Sequence, residues 1–411
     1  MNPQTLYDLS PLARMMLVGV VLALGPLVWV GWRMRHGART PQLYALTLLT
    51  LFLTFDLVLF GAFTRLSDSG LGCPDWPGCY GSASPLGAEA QIAMAQSAMP
   101  TGPVTRSKAW VEMIHRYLAT GVGVLILVLA VASWLAHMKN RAAGLRLQAP
   151  GSAWLASATL VWVCVQGAFG ALTVTMKLFP AIVTLHLIGG LVLLALLTVQ
   201  GVRQNQFQTA AAPARISPGV RRLIWVTFAA LAVQIILGGW VSTNYAVLAC
   251  NEFPRCQNSW WPEMDFAQGF QVWRKLGLTP QGENIGFAAL TAIHYAHRLM
   301  AAVVLIAGAA LAWVLNGVDG RVGGGGLRRQ SRWIAGLIGL QLATGLSNVV
   351  FDWPLLAALL HTGGAGALVM VMTWTVCASS TRFERHNSQA SQAGGSDRAS
   401  MHTPTMNVQN P

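Results

Sequence analysis

Four histidines stand in matching surroundings along this sequence and are its first candidates for chemistry. They are His115 in IHRYLA, His186 in TLHLIGG, His297 in AHRLMA and His361 in LLHTGG. A neutral imidazole is a common ligand for transition metals, and it can also carry a proton. A single histidine inside an apolar segment often only makes a hydrogen bond to a neighbouring helix. The presence of four histidines in matching sequence surroundings favours metal ligation over that structural role.

The neighbours of these histidines differ in one informative way. Glu112 lies one helical turn before His115, whereas His294 occupies the same place before His297. A carboxylate beside a metal ligand can accept a proton or a hydrogen bond during a reaction, although it can also simply stabilise a helix N-terminus. We therefore expect Glu112 to be the catalytic group. The shared His-Arg dipeptide aligns His297, rather than His294, with His115.

The elements that position these residues are membrane helices. Of the 411 residues, 54% are hydrophobic and 10% are charged, which argues against a soluble globular protein. Each long apolar run can cross a hydrocarbon core of about 30 Å as a helix. Nine spans are predicted, near residues 11–32, 43–64, 112–136, 153–175, 182–201, 221–243, 288–315, 331–351 and 355–377. The first lacks a clear signal-peptide cleavage site, so we interpret it as a retained span.

The distribution of basic residues predicts the topology. The net charge of +13 comes largely from clusters on alternate sides of successive spans, at 33–39, 139–146, 203–222, 321–332 and 382–385. The positive-inside rule places these clusters in the cytoplasm, with the N-terminus outside and the C-terminus inside. The charge therefore sets the topology and does not indicate a nucleic-acid partner.

The sequence contains an internal repeat. The stretch GAFTRLSDSGLGC at 61–73 corresponds to GGWVSTNYAVLAC at 238–250, and Gln166 and Gln341 each stand twenty residues before a histidine. We infer two tandem four-helix bundles, related by a parallel pseudo-twofold repeat. The predicted units are an extra N-terminal helix (1–40), an N-terminal half (41–204), a linker (205–220), a C-terminal half (221–380) and a disordered tail (381–411).

This arrangement predicts what the histidines bind. Each histidine begins a helix that runs inward from the outer face, so each half holds two imidazoles at one depth. Facing imidazoles in a helix bundle can ligate one heme iron. Arg116 and Arg298 could then pair with heme propionates, although extension of the arginines toward the membrane interface explains them nearly as well.

The cysteines indicate an oxidising compartment on the outer side. Two pairs lie in the two longest outward loops, Cys73 with Cys79 and Cys250 with Cys256, and a disulfide within each pair is expected. Cys164 and Cys377 lie in predicted spans, where buried thiols are expected.

Together, RLSDSGLGCPDWPGC, EMIHRYLA, HYAHRLMA and LLHTGGA resemble the heme A synthase family, over about residues 45–377. The resemblance implies oxidation of a ring methyl of heme O to a formyl group, giving heme A for cytochrome oxidase. It implies that His115 and His186 bind the substrate heme beside Glu112, and that His297 and His361 hold a heme b. It also implies a disulfide in each outward loop. It does not account for the first helix or for Asp56.

Further expectations concern location, partners and alternatives. We expect a multi-pass protein of a bacterial inner membrane that works with a heme O synthase and cytochrome oxidase assembly factors; a homo-oligomer is left open. One alternative is a bis-histidine di-heme cytochrome that only transfers electrons, but it does not explain Glu112. A transporter with two similar halves is the other, but it predicts polar residues at the membrane midplane rather than near the outer face.

Overall fold

A computed structural model describes residues 10–36, 41–144, 149, 151–318 and 326–379, and over these ranges the regular structure is entirely helical. Nine of the helices found there are long and apolar enough to cross a membrane. They are α1 (Ser10–Arg35), α2 (Gln42–Leu66), α4 (Arg106–Ala143), α5 (Ser152–Thr175), α6 (Pro180–Thr209), α7 (Pro218–Thr243), α9 (Phe287–Asn316), α10 (Arg328–Val350) and α11 (Leu355–Ala378). Two short helices lie in the long connections, α3 (Glu89–Ala98) and α8 (Phe266–Gly269).

The predicted all-α, multi-pass membrane fold is confirmed, and each predicted span coincides with one helix. The predicted tail at 381–411 lies outside the described residues, as do parts of the basic segments at 33–39, 139–146 and 321–332.

Local sequence explains where several helices begin and how polar side chains are accommodated in them. The side chain of Thr105 caps α4 by accepting a hydrogen bond from the backbone N–H of Lys108. Ser217 caps α7 in the same way. Inside α2, the hydroxyls of Thr50 and Thr54 donate to the carbonyls four residues earlier. A hydroxyl buried in an apolar environment needs such a partner, so these threonines are compatible with a membrane helix.

The two predicted halves meet through equivalent helices. Helices α6 and α11, the last of each half, pack on each other, while α2 contacts α11 and α7 contacts α6. Each half also has an apolar core of its own, built around Leu129 and Leu197 in the first and around Leu311 and Met372 in the second. These residues lie at least two helical turns beyond the histidines, which are thus left near one end of the bundles.

Helix α1 stands outside this symmetry. It packs along α4 and touches α2. The first residues of α1 lie at the same end of the bundle as the loop between α2 and α4, because α1 and α4 are separated by one intervening span.

Candidate functional site

The four candidate histidines form two pairs. His115 lies on α4 and His186 on α6 in the N-terminal half, and His297 lies on α9 and His361 on α11 in the C-terminal half. The ring of Phe60 lies nearly parallel to that of His115, with 6.4 Å between their centroids. Each half thus contains one pair of the predicted histidines, and the binding of one metal by each pair stays a prediction.

Each imidazole lies against a glycine of the preceding long helix. A Cβ atom added at any of these glycines would lie within 3.5 Å of a ring atom. The distances are 3.0 Å for Gly61 to His115, 3.4 Å for Gly170 to His186, 2.9 Å for Gly238 to His297 and 3.3 Å for Gly345 to His361. The absent side chains leave room for the rings, and the pattern repeats in both halves.

A glutamine fixes the turn on which the second histidine of each half stands. The amide of Gln166 donates to the carbonyl of His186 at 2.8 Å, and that of Gln341 donates to the carbonyl of His361 at 2.8 Å. The glutamines fit because a glycine follows each histidine three residues later. A Cβ on Gly189 would lie 2.3 Å from Oε1 of Gln166. The spacing of twenty residues between glutamine and histidine thus corresponds to a direct hydrogen bond between the two residues.

The tautomer of His361 follows from its neighbour Thr344. The Thr344 hydroxyl donates to the carbonyl of Leu340 at 2.7 Å and lies 2.9 Å from Nδ1 of His361. Because its proton is used on the carbonyl, the hydroxyl oxygen accepts from Nδ1–H. The Nε2 of His361 therefore keeps a free lone pair, as a metal ligand requires.

The donor set suits an iron porphyrin. The Nδ1 atoms of His186 and His297 are buried and make no hydrogen bond within the described ranges. Nor do those ranges contain a group of three or more His, Cys, Asp or Glu side chains that could hold a metal ion. Two imidazoles are a donor set that fits a metal whose other ligands come with it, as those of heme iron do.

Glu112 is part of a buried ion pair that holds the loop between α2 and α4. Its side chain is only 3% exposed, and its two oxygens contact Cys73 N–H at 2.8 Å and Arg116 Nη2 at 2.5 Å. Arg116 Nη1 also donates to three loop carbonyls, those of Asp75, Pro77 and Gly78. The sequence identified Glu112 and Arg116 individually but did not predict that they pair.

The second half repeats this arrangement without the acid. Arg298 donates to the carbonyls of Cys250, Glu252 and Arg255, and its Nε lies 3.3 Å from Nε2 of His294. His294 thus takes the structural position of Glu112, which favours His297 as the ligand in this half. Both arginines donate hydrogen bonds to loop carbonyls. Their predicted pairing with heme propionates is not tested by these contacts and stays a prediction.

Comparison with known proteins gives the family. The model of the COX15-CtaA family, described as cytochrome oxidase assembly protein, matches residues 44–373. This chain belongs to that family. A heme A synthase of Shewanella oneidensis is 37% identical over 333 residues, covering 80% of this chain and 94% of the relative. A heme A synthase of Symbiobacterium thermophilum is 29% identical over 315 residues, covering 74% and 85%.

In this COX15-CtaA member both loop disulfides are present, Cys73 with Cys79 and Cys250 with Cys256. All four cysteines are fully buried. The expectation for the remaining two was partly wrong, because Cys164 is exposed on α5, whereas Cys377 is half-buried on α11. Asp56 also lies on the exposed side of α2, and no ion pair joins it to another described residue.

A contact between the halves was missed from the sequence. The Arg65 guanidinium lies over the ring of Tyr245 at 4.1 Å and donates to the carbonyl of Ser242 at 2.5 Å. The Tyr245 hydroxyl donates to Asp68 at 2.9 Å, and burial raises the pKa of that hydroxyl. Both hydrogen bonds join residues 177 apart, which is the repeat distance between Gly61 and Gly238. Residues at equivalent positions of the two repeats are therefore in contact, and the repeat was the signal in the sequence from which this contact could have been expected.

Proposed function

We propose that this chain is a heme A synthase, an oxidoreductase that oxidises a ring methyl of heme O to the formyl group of heme A. One observation carries the proposal. The two halves hold matched pairs of histidines against glycines, but only the N-terminal half has a buried carboxylate, Glu112, one turn from a candidate ligand. The family and its heme A synthase relatives support the same assignment.

In this proposal the N-terminal half binds the substrate. His115 and His186 would ligate the iron of heme O, and Gln166 would hold the helical turn that carries His186. Converting a methyl into a formyl group removes four electrons, adds one oxygen atom and releases protons. Glu112 is the buried acid nearest to this site in sequence, and it would accept a proton or orient water there. Its bonds to Cys73 and Arg116 fix the position of the carboxylate.

The C-terminal half would hold a resident heme b between His297 and His361. When bound, this group supplies one-electron redox chemistry, which the side chains lack. The protein's part is to orient the ligands. Thr344 sets the tautomer of His361, Gln341 fixes its backbone, and Gly345 leaves room for its ring.

We place the protein in a bacterial inner membrane, with the N-terminus and both disulfide loops outside and the C-terminus in the cytoplasm. The positions of the basic segments support this topology, and disulfides form in oxidising compartments. There the chain would receive heme O from a heme O synthase and supply heme A for cytochrome oxidase assembly. Direct contacts with those proteins and a homo-oligomer stay separate predictions.

The test uses a bacterial host that lacks its own heme A synthase but contains a heme O synthase. Hemes extracted from cells producing the wild-type chain should include heme A, identified by chromatography and mass. His115→Ala and His186→Ala should abolish it, whereas His36→Ala, at an exposed position after α1, should not. If the folded wild-type protein carried only heme b and made no heme A, the electron-transfer cytochrome would replace the synthase.

A further inference from the structure

The extra helix α1 contacts the helix that carries Glu112, His115 and Arg116. It packs along α4, whereas α9, the equivalent of α4, makes its extensive contacts in the described part of the chain with elements of the C-terminal half. The family match begins at residue 44, after α1 has ended. Helix α1 is therefore an addition to one half of a repeated structure, and this is the half with the buried acid.

The two helices are in close contact at Gly19. A Cβ atom on Gly19 would lie 2.4 Å from Cγ2 of Thr120 and 3.0 Å from its backbone carbonyl carbon, so no larger residue fits without movement. Thr120 is itself held, because its hydroxyl donates to the carbonyl of Arg116 at 2.8 Å. Helix α1 thus packs directly against the turn that follows the ion-paired arginine.

The outer end of α1 covers the first disulfide loop. Met15 is 5% exposed and belongs to the apolar cluster that contains Cys73 and Cys79. Pro11 lies beside Gly78, since a Cβ added there would come within 3.3 Å of the proline Cβ. The carbonyl of Gly78 also accepts a hydrogen bond from Arg116 at 2.5 Å. The loop is thus held by Arg116 on one side and by α1 on another.

The second disulfide is buried in a different way. Cys250 and Cys256 cluster with Tyr295 of α9 and with Met264 of their own loop. The Tyr295 hydroxyl donates to the carbonyl of Trp260 in that loop. Residues of its own half therefore bury this disulfide. Cys250–Cys256 can serve as an internal control for any effect of α1 on Cys73–Cys79.

We propose that α1 is a positioning element for the N-terminal half. It holds α4 through Gly19 and the Cys73–Cys79 loop through Met15, and so keeps that loop against Glu112 and Arg116. The consequence for heme oxidation rests on the proposed function, but the consequence for the disulfide does not. The two can be measured separately.

The first experiment compares neighbouring methionines in the full chain. Met15→Ala removes a buried side chain from the disulfide cluster, whereas Met16→Ala changes a residue that is 47% exposed. Each disulfide is followed in membranes by timed reduction, alkylation of the thiols and peptide mass analysis. We expect Met15→Ala to speed reduction of Cys73–Cys79 about tenfold, because loss of packing favours local opening. Cys250–Cys256 should keep its wild-type rate in both variants. Equal rates for Cys73–Cys79 in the two variants would overturn the proposal.

The second experiment tests the helix contact. Gly19→Leu collides with Thr120, whereas Gly25→Leu changes a position with no atom within 4 Å of an added Cβ. We expect Gly19→Leu, but not Gly25→Leu, to lower the heme A to heme O ratio at least threefold while the C-terminal heme is retained. An unchanged ratio together with an unchanged reduction rate would overturn the proposal. If Gly19→Leu fails to accumulate, or if wild type makes no heme A, the Met15 reduction rates alone decide.

Discussion

The carboxylate of Glu112 lies 2.8 Å from the backbone nitrogen of Cys73, so the candidate acid is bonded directly to the disulfide loop. Its other oxygen pairs with Arg116, which binds three carbonyls of the same loop. In the second half, the ring of His294 lies beside Arg298, in the place that the Glu112 carboxylate takes beside Arg116. A structural role and a chemical role therefore coincide at Glu112, and the two must be separated by experiment.

Glu112→Gln separates these roles. Gln keeps an oxygen that can accept the Cys73 N–H but removes the negative charge and the capacity to take up a proton. We expect heme A yield to fall by roughly 10²- to 10⁴-fold, the usual range for loss of a general acid or base. Heme content and both disulfides should persist, as checked by heme extraction and thiol labelling. Glu89→Gln, at an exposed acid paired with Arg106, is the control and should behave as wild type. A yield within about twofold of wild type would assign Glu112 a structural role only.

The glycines that accommodate Gln166 and Gln341 should control heme binding one half at a time. An alanine at Gly189 would collide with the Gln166 amide, and one at Gly364 would lie 2.4 Å from Nε2 of Gln341. Either the glutamine amide moves away and loses its hydrogen bond to the histidine carbonyl, or the turn carrying the histidine shifts. We expect Gly189→Ala to weaken heme retention in the N-terminal half only, and Gly364→Ala in the C-terminal half only. Absorption spectra and heme-to-protein ratios of purified protein measure both effects.

The matched controls are Gly167→Ala on α5 and Gly339→Ala on α10, where an added Cβ meets no atom within 4 Å. Both should retain wild-type heme content. Alanine also favours a helix over glycine by about 1 kcal/mol, so a loss of heme at Gly189 or Gly364 would reflect the collision and not the helix propensity. Equal heme loss in all four variants would contradict the specific contact.

The parts of this molecule that the sequence predicts are those encoded locally or by repetition. Apolar runs predict the nine spans because a membrane requires about 20 apolar residues per helix. The repeat aligned His115 with His297 without knowledge of the fold. In contrast, the bond from Glu112 to Cys73 joins residues 39 apart and depends on how the loop folds back. The packing of Gly19 on Thr120 likewise cannot be predicted from the local sequence. A small residue that contacts another helix is not distinguished there from a small residue that makes no such contact.

Thr344 should tune the C-terminal heme through His361. Thr344→Val removes the oxygen that accepts from Nδ1–H, which makes the imidazole a weaker donor to iron. We expect heme affinity in this half to fall about 10- to 100-fold, and the midpoint potential to rise because the oxidised iron is less stabilised. Spectroscopic redox titration and heme retention measure the two effects. The control is Thr362→Val, since the Thr362 hydroxyl donates only to the carbonyl of Ala358 in its own helix. Identical potentials in the two variants would exclude this role.

The contact between Tyr245 and Asp68 should stabilise the junction of the two halves. Asp68 also pairs with Lys108 at 3.2 Å, so a double-mutant cycle of Tyr245→Phe and Asp68→Asn is needed to isolate the hydrogen bond. We expect a coupling free energy of about 1 kcal/mol, measured by unfolding in detergent.

The pH dependence of this coupling follows from the raised pKa of Tyr245. The folded protein holds the phenol proton more tightly than the unfolded chain does. The stabilisation is therefore fully present below the ordinary tyrosine pKa of about 10 and is lost as the pH rises through the higher folded value. The coupling should stay constant from about pH 6 to 9 and disappear only in stronger alkali. A coupling that vanished near neutral pH would instead implicate another titrating group, and one that was absent throughout would show that the hydrogen bond between Tyr245 and Asp68 does not stabilise the junction.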